Sequence, residues 1–169
     1  MEEFVDKIFH LRYWEVMTDV HGAFAMVSLI LFGAIIVLLL SIGSFDKATA
    51  WLKRTMLALF ITLTSLNIMG LFVYRPYRVK TPTSPRTVLL ASEDTAWLHN
   101  IMFEHKEFLA LVPMLIIMAA TLIVVKDGKS LKDNANLRKV VLFAVIASLV
   151  FVLVVAAEAV LVTKAAPVR

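Results

Sequence analysis

The sequence predicts an all-α integral membrane protein, a four-helix up-down bundle preceded by an interfacial amphipathic helix. Three observations lead there. Apolar residues make up 60% of the 169 positions and charged ones 18%, where a soluble domain averages roughly 45–50% and about 25%. The excess falls in four runs, 22–43, 55–74, 108–125 and 140–163, free of charge but for Glu158. Each comes close to the about 20 residues that a helix needs to cross about 30 Å of hydrocarbon. The short loops beside these runs are strongly basic. A soluble fold, a disordered chain, a β-barrel and a single-span anchor are thereby excluded. No remaining segment is long enough for a second core, so residues 1–169 form a single membrane domain.

The elements follow in chain order. Phe4, Val5, Ile8, Leu11 and Trp14 recur at helical spacing, with Lys7, His10 and Arg12 among them. This predicts an interfacial helix over about 3–18, with Tyr13 and Trp14 at headgroup level. Glu2 and Glu3, with no apolar core or small-residue cleavage site, argue against a signal peptide. The chain is expected to bend near 19–22 into a first span over about 22–43, and a second follows over about 55–74. Arg75, Pro76, Tyr77, Arg78, Pro82 and Pro85 make a turn-rich stretch that cannot be helical throughout. Ser92, Glu93, Asp94 and Thr95 suit a helix start. The third helix covers about 95–125, its first three turns projecting beyond the hydrocarbon, and Pro113 bends it. The fourth span covers about 140–163.

Loops 44–54 and 126–139 carry eight cations (Lys47, Lys53, Arg54, Lys126, Lys129, Lys132, Arg138 and Lys139) against Asp46, Asp127 and Asp133. The positive-inside rule puts these loops in the cytoplasm. Both termini and the long connection then face outward from the cytoplasmic membrane, as a multi-pass protein. The net charge of +4 is explained by this topology, without nucleic acid as a partner. The lipid bilayer is the expected surrounding, with other membrane subunits beside it.

There is no cysteine, which removes disulfides, thiolate metal sites, Fe–S clusters and covalently attached c-type haem. Phosphate-binding loops, dinucleotide fingerprints and serine elbows are missing too. Five glycines and no pair of broken spans leave little material for a transporter site. The uncharged inner halves offer no polar path for a channel.

Ionisable groups gather at the outer boundary: His21 opens the first span, His99 and His105 lie near the top of the third helix, and Glu158 sits near the outer end of the fourth. A b-type haem is held by two imidazoles from facing helices, and His21 and His105 lie at matching depth. Gly22 and Ala23 leave space beside His21. His105 shares a helical face with Ile101, Met102, Phe108, Leu109 and Val112, and is expected to point into the bundle. Asn67 and Glu158 are placed to orient an imidazole, and Arg75, Arg78 and Lys106 to meet haem propionates. The blander reading is an interfacial histidine satisfied by water and headgroups. It is the preferred one for His10 and for His99, which is expected above the bilayer. Met17 and Met102 are read first as packing residues.

Glu158 is the only acidic or basic side chain inside an apolar run. A carboxylate there costs up to roughly 2.5–3.5 kcal/mol at the centre of a span and less near its end, so a functional role is the default. Pairing with Arg75 or Lys106, a bond to a histidine, or carriage of a proton during quinol oxidation would each suit it.

At the level of architecture alone, the chain resembles the small haem-b membrane subunits of respiratory complexes. The expected function is therefore one-electron transfer through one haem b near the outer face. The haem would exchange electrons with a quinone or an extracytoplasmic redox protein. The alternative is a cofactor-free accessory subunit of a larger membrane complex. The third reading is a metal-dependent membrane enzyme with a mononuclear site built from His21, His105, Glu104 and Glu158. A carboxylate-bridged pair of metals is disfavoured because no Glu-x-x-His occurs.

Overall fold

The computed structural model describes residues 13–43 and 47–166, and among them all regular structure is helical. The expected interfacial helix over 3–18 falls mostly outside these residues. From Tyr13 the chain is already in α1 (Tyr13–Leu40), which passes through 19–22 without a break. The bend expected there is not observed. Residues 13–18 instead extend the first apolar helix by more than a turn. The other elements are α2 (Ala48–Arg78), α3 (Pro85–Leu90), α4 (Glu93–Asp127) and α5 (Ala135–Ala165).

Four of these helices, α1, α2, α4 and α5, are long and apolar enough to cross a membrane. They pack in a closed ring: α1 on α2, α2 on α4, α4 on α5, and α5 back on α1. Helices α1 and α4 therefore stand across the bundle from each other. The core is a narrow stripe at three- and four-residue spacing, the pattern of helices meeting along a seam. It contains Phe32, Ile35 and Leu39 of α1, Leu52, Met56, Leu59 and Leu63 of α2, Ile117, Ala120 and Val124 of α4, and Val141, Val145 and Val152 of α5. Buried hydroxyls tie this seam together. Thr121 Oγ1 donates to the Met56 carbonyl (3.4 Å) and Ser148 Oγ to the Pro113 carbonyl (3.0 Å). Such bonds join helices where lipid supplies no hydrophobic drive.

Most of the apolar surface points outward. In the most apolar window of each long helix only 17–28% is buried, and Ile30, Leu71 and Phe143 are fully on the outside. A surface so continuously apolar is far beyond the few hundred Å² that a water-soluble monomer exposes. This fits a multi-pass membrane protein.

One departure from the sequence expectations concerns a proline. Helix α2 continues through Pro76 to Arg78. Pro76 removes the bond to the Phe72 carbonyl, and the helix ends two residues later at Arg78. The turn-rich stretch is thus confined to 79–84. There Ser84 caps α3, accepting from the Thr87 amide with Pro85 in the first turn, the position a proline favours. In α4, Pro113 removes the bond to the Leu109 carbonyl, and the regular α-helix is interrupted at Ala110.

One end of the bundle carries Arg78 against Glu104, His105 against Glu158, and His21 against Leu66; it is called the polar end below. At the opposite, basic end Lys53 Nζ donates to the Val125 carbonyl at 2.9 Å, a cation closing the carboxyl end of α4. Gly128 lies beneath it. A Cβ there would collide with the Val124 carbonyl and come 2.7 Å from Lys53 Cε. Gly128→Ala is expected to displace Lys53 and destabilise the protein by about 1–3 kcal/mol. Thermal unfolding in detergent checks this, with Gly33→Ala, which meets open space, expected to lose nothing.

A candidate cofactor site at the polar end

His21, in the first turns of α1, is half-buried against α2. Its Nδ1 lies 3.1 Å from the Leu66 carbonyl. A carbonyl only accepts, so Nδ1 carries the proton and Nε2 has its lone pair free. The ring lies over Gly70, where an added Cβ would sit 3.4 Å from His21 Cε1. Gly70 thus lets the imidazole lie close against α2. Among the described residues Nε2 of His21 has no hydrogen-bond partner.

His105, early in the second part of α4, is tied in the same sense but to a different acceptor. Its Nδ1 lies 2.5 Å from Glu158 Oε1 on α5. The carboxylate is 9% exposed and the imidazole 53%. Glu158 is thereby held by a ring, as the high cost of a lone carboxylate in an apolar run requires. Its Oε2 is buried with no partner. Nε2 of His105 is likewise without a hydrogen-bond partner among the described residues. Lys106, on the next position of α4, lies within electrostatic reach of both His21 and Glu158. Its Nζ is 4.7 Å from the centre of the Phe103 ring.

The register of α4 explains why His105 is half-exposed rather than turned fully inward. Residues Leu98–Phe103 form a π-helix, a wide turn that shifts all later side chains around the axis. Ile101 and Phe108, expected on the inward face, are exposed, whereas Leu98, His99 and Phe103 are buried. The 3.6-residue period assumed for this stretch does not hold across a π turn.

His99, expected to be an interfacial histidine, is 3% exposed. Its Nε2 accepts from Arg86 Nε at 3.2 Å, so the ring's proton resides on Nδ1, which donates to Tyr77 Oη at 3.0 Å. Both ring nitrogens are therefore occupied. Tyr77 stacks on Phe103 with ring centres 3.6 Å apart, and Leu89, Leu98, Val162 and Ala166 complete this small second core. No spacing in the sequence links Tyr77, Arg86 and His99, which lie on three different helices.

The remaining candidates divide. Arg78 is held by Glu104 (2.6 Å) and Glu107 (3.0 Å), and its guanidinium lies 4.9 Å from the Tyr74 ring centre. All of these bonds are made by Nη2, and Nε is buried without a partner. Arg75 is exposed at the surface. Asn67 donates to the Leu63 carbonyl of its own helix (2.9 Å). Met102 packs against the second core. The structure thus joins His105 with Glu158 and brings Lys106 near His21. No hydrogen bond or ring contact joins His21 to His105 among the described residues. The described residues also contain no group of three or more His, Asp or Glu side chains placed to hold a metal ion. Comparison of the chain with protein families, curated proteins and solved structures yields no match.

The second core makes a direct prediction. Tyr77→Phe keeps the stacked ring but leaves the buried His99 Nδ1–H unpaired, at a cost of about 1–3 kcal/mol. A lower melting temperature, with faster proteolysis in the 79–97 segment, is expected.

Proposed function

We propose that the chain is a membrane electron-transfer subunit, four spans in up-down order with the basic loops in the cytoplasm. In this reading it holds one b-type haem at its outer, polar end through His21 and His105. The observation that carries it is the state of the two imidazoles. Each has Nδ1 anchored, one to a backbone carbonyl and one to a carboxylate, and neither Nε2 has a hydrogen-bond partner among the described residues. Metal-ligating histidines are held in this way, the outer acceptor fixing the tautomer and the ring plane. His99, with both nitrogens used, is not available. The two rings come from α1 and α4, which stand across the bundle, and Lys106, within electrostatic reach of His21, is a cation for a propionate, with Arg75 exposed at the same end. When bound, the haem supplies one-electron transfer. The protein's own part is to fix both rings, to keep the inner halves apolar and to leave the outer face open to a quinone or a redox protein.

The experiment is the absorption spectrum of detergent-purified protein, oxidised and dithionite-reduced. Sharp reduced α and Soret bands are expected in the wild type and not in His21→Ala or His105→Ala. The His99→Ala variant, if folded, is expected to keep them. A flat wild-type spectrum from cells supplied with haem would overturn the reading in favour of a cofactor-free accessory subunit. Bound metal without porphyrin would favour a metal-dependent enzyme.

A further inference from the structure

The two ends of the bundle treat their charges differently. At the polar end Arg78 is paired with Glu104 and Glu107. At the basic end Lys53 and Arg138 donate to backbone carbonyls, of Val125 and Leu131. Six further cations there, Lys47, Arg54, Lys126, Lys129, Lys132 and Lys139, are exposed. Among the described residues no ion pair joins any of them to Asp127 or Asp133. This face therefore carries positive charge that the protein itself does not neutralise, and such charge repels itself until an outside anion answers it.

The cations are not spread evenly around the ring. They lie at the start of α2, the end of α4 and the start of α5, which are successive neighbours, whereas residues 40–43 at the end of α1 bring none. They also adjoin apolar side chains that face outward. Lys126 follows Val125 and Lys139 precedes Val140, both about half exposed. The Arg54 guanidinium lies over Trp51, 5.6 Å from the ring centre, and Trp51 is 52% exposed. An exposed tryptophan beside a cation at the end of an apolar helix suits the headgroup level. A guanidinium over a ring face keeps its edge donors for a phosphate.

We propose that the basic end is a binding surface for anionic phospholipid. Arg54, Lys126, Lys139 and their neighbours hold the phosphate, and the acyl chains lie along the outward apolar sides of α2, α4 and α5. A soluble polyanion would meet the charges but leave Trp51, Val125 and Val140 unused, whereas a lipid answers both. The surface is separate from the polar end and from any cofactor there.

Quenching of Trp51 fluorescence by brominated lipid tests this. Trp14→Phe with Trp97→Phe leaves Trp51 as the only tryptophan of the full chain. That protein is reconstituted in vesicles of equal parts phosphatidylglycerol and phosphatidylcholine, with bromine on the acyl chains of one lipid or of the other. Stronger quenching by brominated phosphatidylglycerol is expected, at a relative association of about fivefold or more, what one cation near a headgroup contributes. Arg54→Gln with Lys126→Gln is expected to bring the ratio close to unity. Lys80→Gln with Lys164→Gln removes the same charge from exposed positions at the polar end and is expected to leave the ratio unchanged. Equal quenching by the two lipids, or equal loss in both pairs of variants, would overturn the proposal. A second readout needs no change at the site: the preference is expected to fall as salt rises, and a preference insensitive to salt would contradict it. A preference abolished by millimolar inorganic phosphate at constant ionic strength would assign the surface to a free anion and overturn the lipid assignment.

Discussion

A carboxylate inside an apolar helix is the constraint on which the polar end of this protein depends. Glu158 cannot stay alone where it is, because neither lipid nor the surrounding valines and alanines can solvate it. The donor that reaches it is the His105 ring, which must cross from α4 to α5. That single bond fixes the angular position of the start of α4 relative to α5. The π-helical turn above it then carries His99 and Phe103 into the second core. Arg78, clamped by Glu104 and Glu107, fixes the same segment against α2. Helix α1 joins through His21 and the Leu66 carbonyl. All four long helices are thus tied by polar bonds at one end, where the helices emerge from the apolar runs.

The opposite end is built on a different principle. There the seam is wholly apolar, from Ile35 and Leu39 to Val141, and the closing contact is a lysine on a helix carboxyl terminus over a glycine. The cations of the two loops are mostly exposed and take no part in the core. The apolar end thus closes on packing, whereas the polar end gathers the ionisable side chains of the long helices.

Much of the fold is legible in the sequence, for a physical reason. Lipid demands long uninterrupted apolar helices, so their number and approximate limits can be counted directly. Glu158 stands out for the same reason, as the one acidic or basic side chain in an apolar run. Legibility fails where local rules are overridden. Pro76 reads as a breaker, yet the helix runs two residues past it before ending. The π turn at Leu98–Phe103 has no marker in the residues, and it reverses which of His99 and His105 is buried. The Tyr77, Arg86 and His99 network joins three elements separated in sequence, so no motif could announce it. The pairing of His105 with Glu158 was one of several partners open to that carboxylate. Only the angular placement of α4 against α5 selects it.

The central claim is that the two open Nε2 atoms belong to one iron. Its most direct test is pulsed EPR on the oxidised wild-type protein, purified from cells grown with haem precursor and ¹⁵N-labelled histidine. A low-spin ferric signal with hyperfine couplings from two histidine nitrogens, in addition to those of the porphyrin, is the predicted result. A high-spin signal, a single histidine coupling, or no ferric haem signal would contradict it.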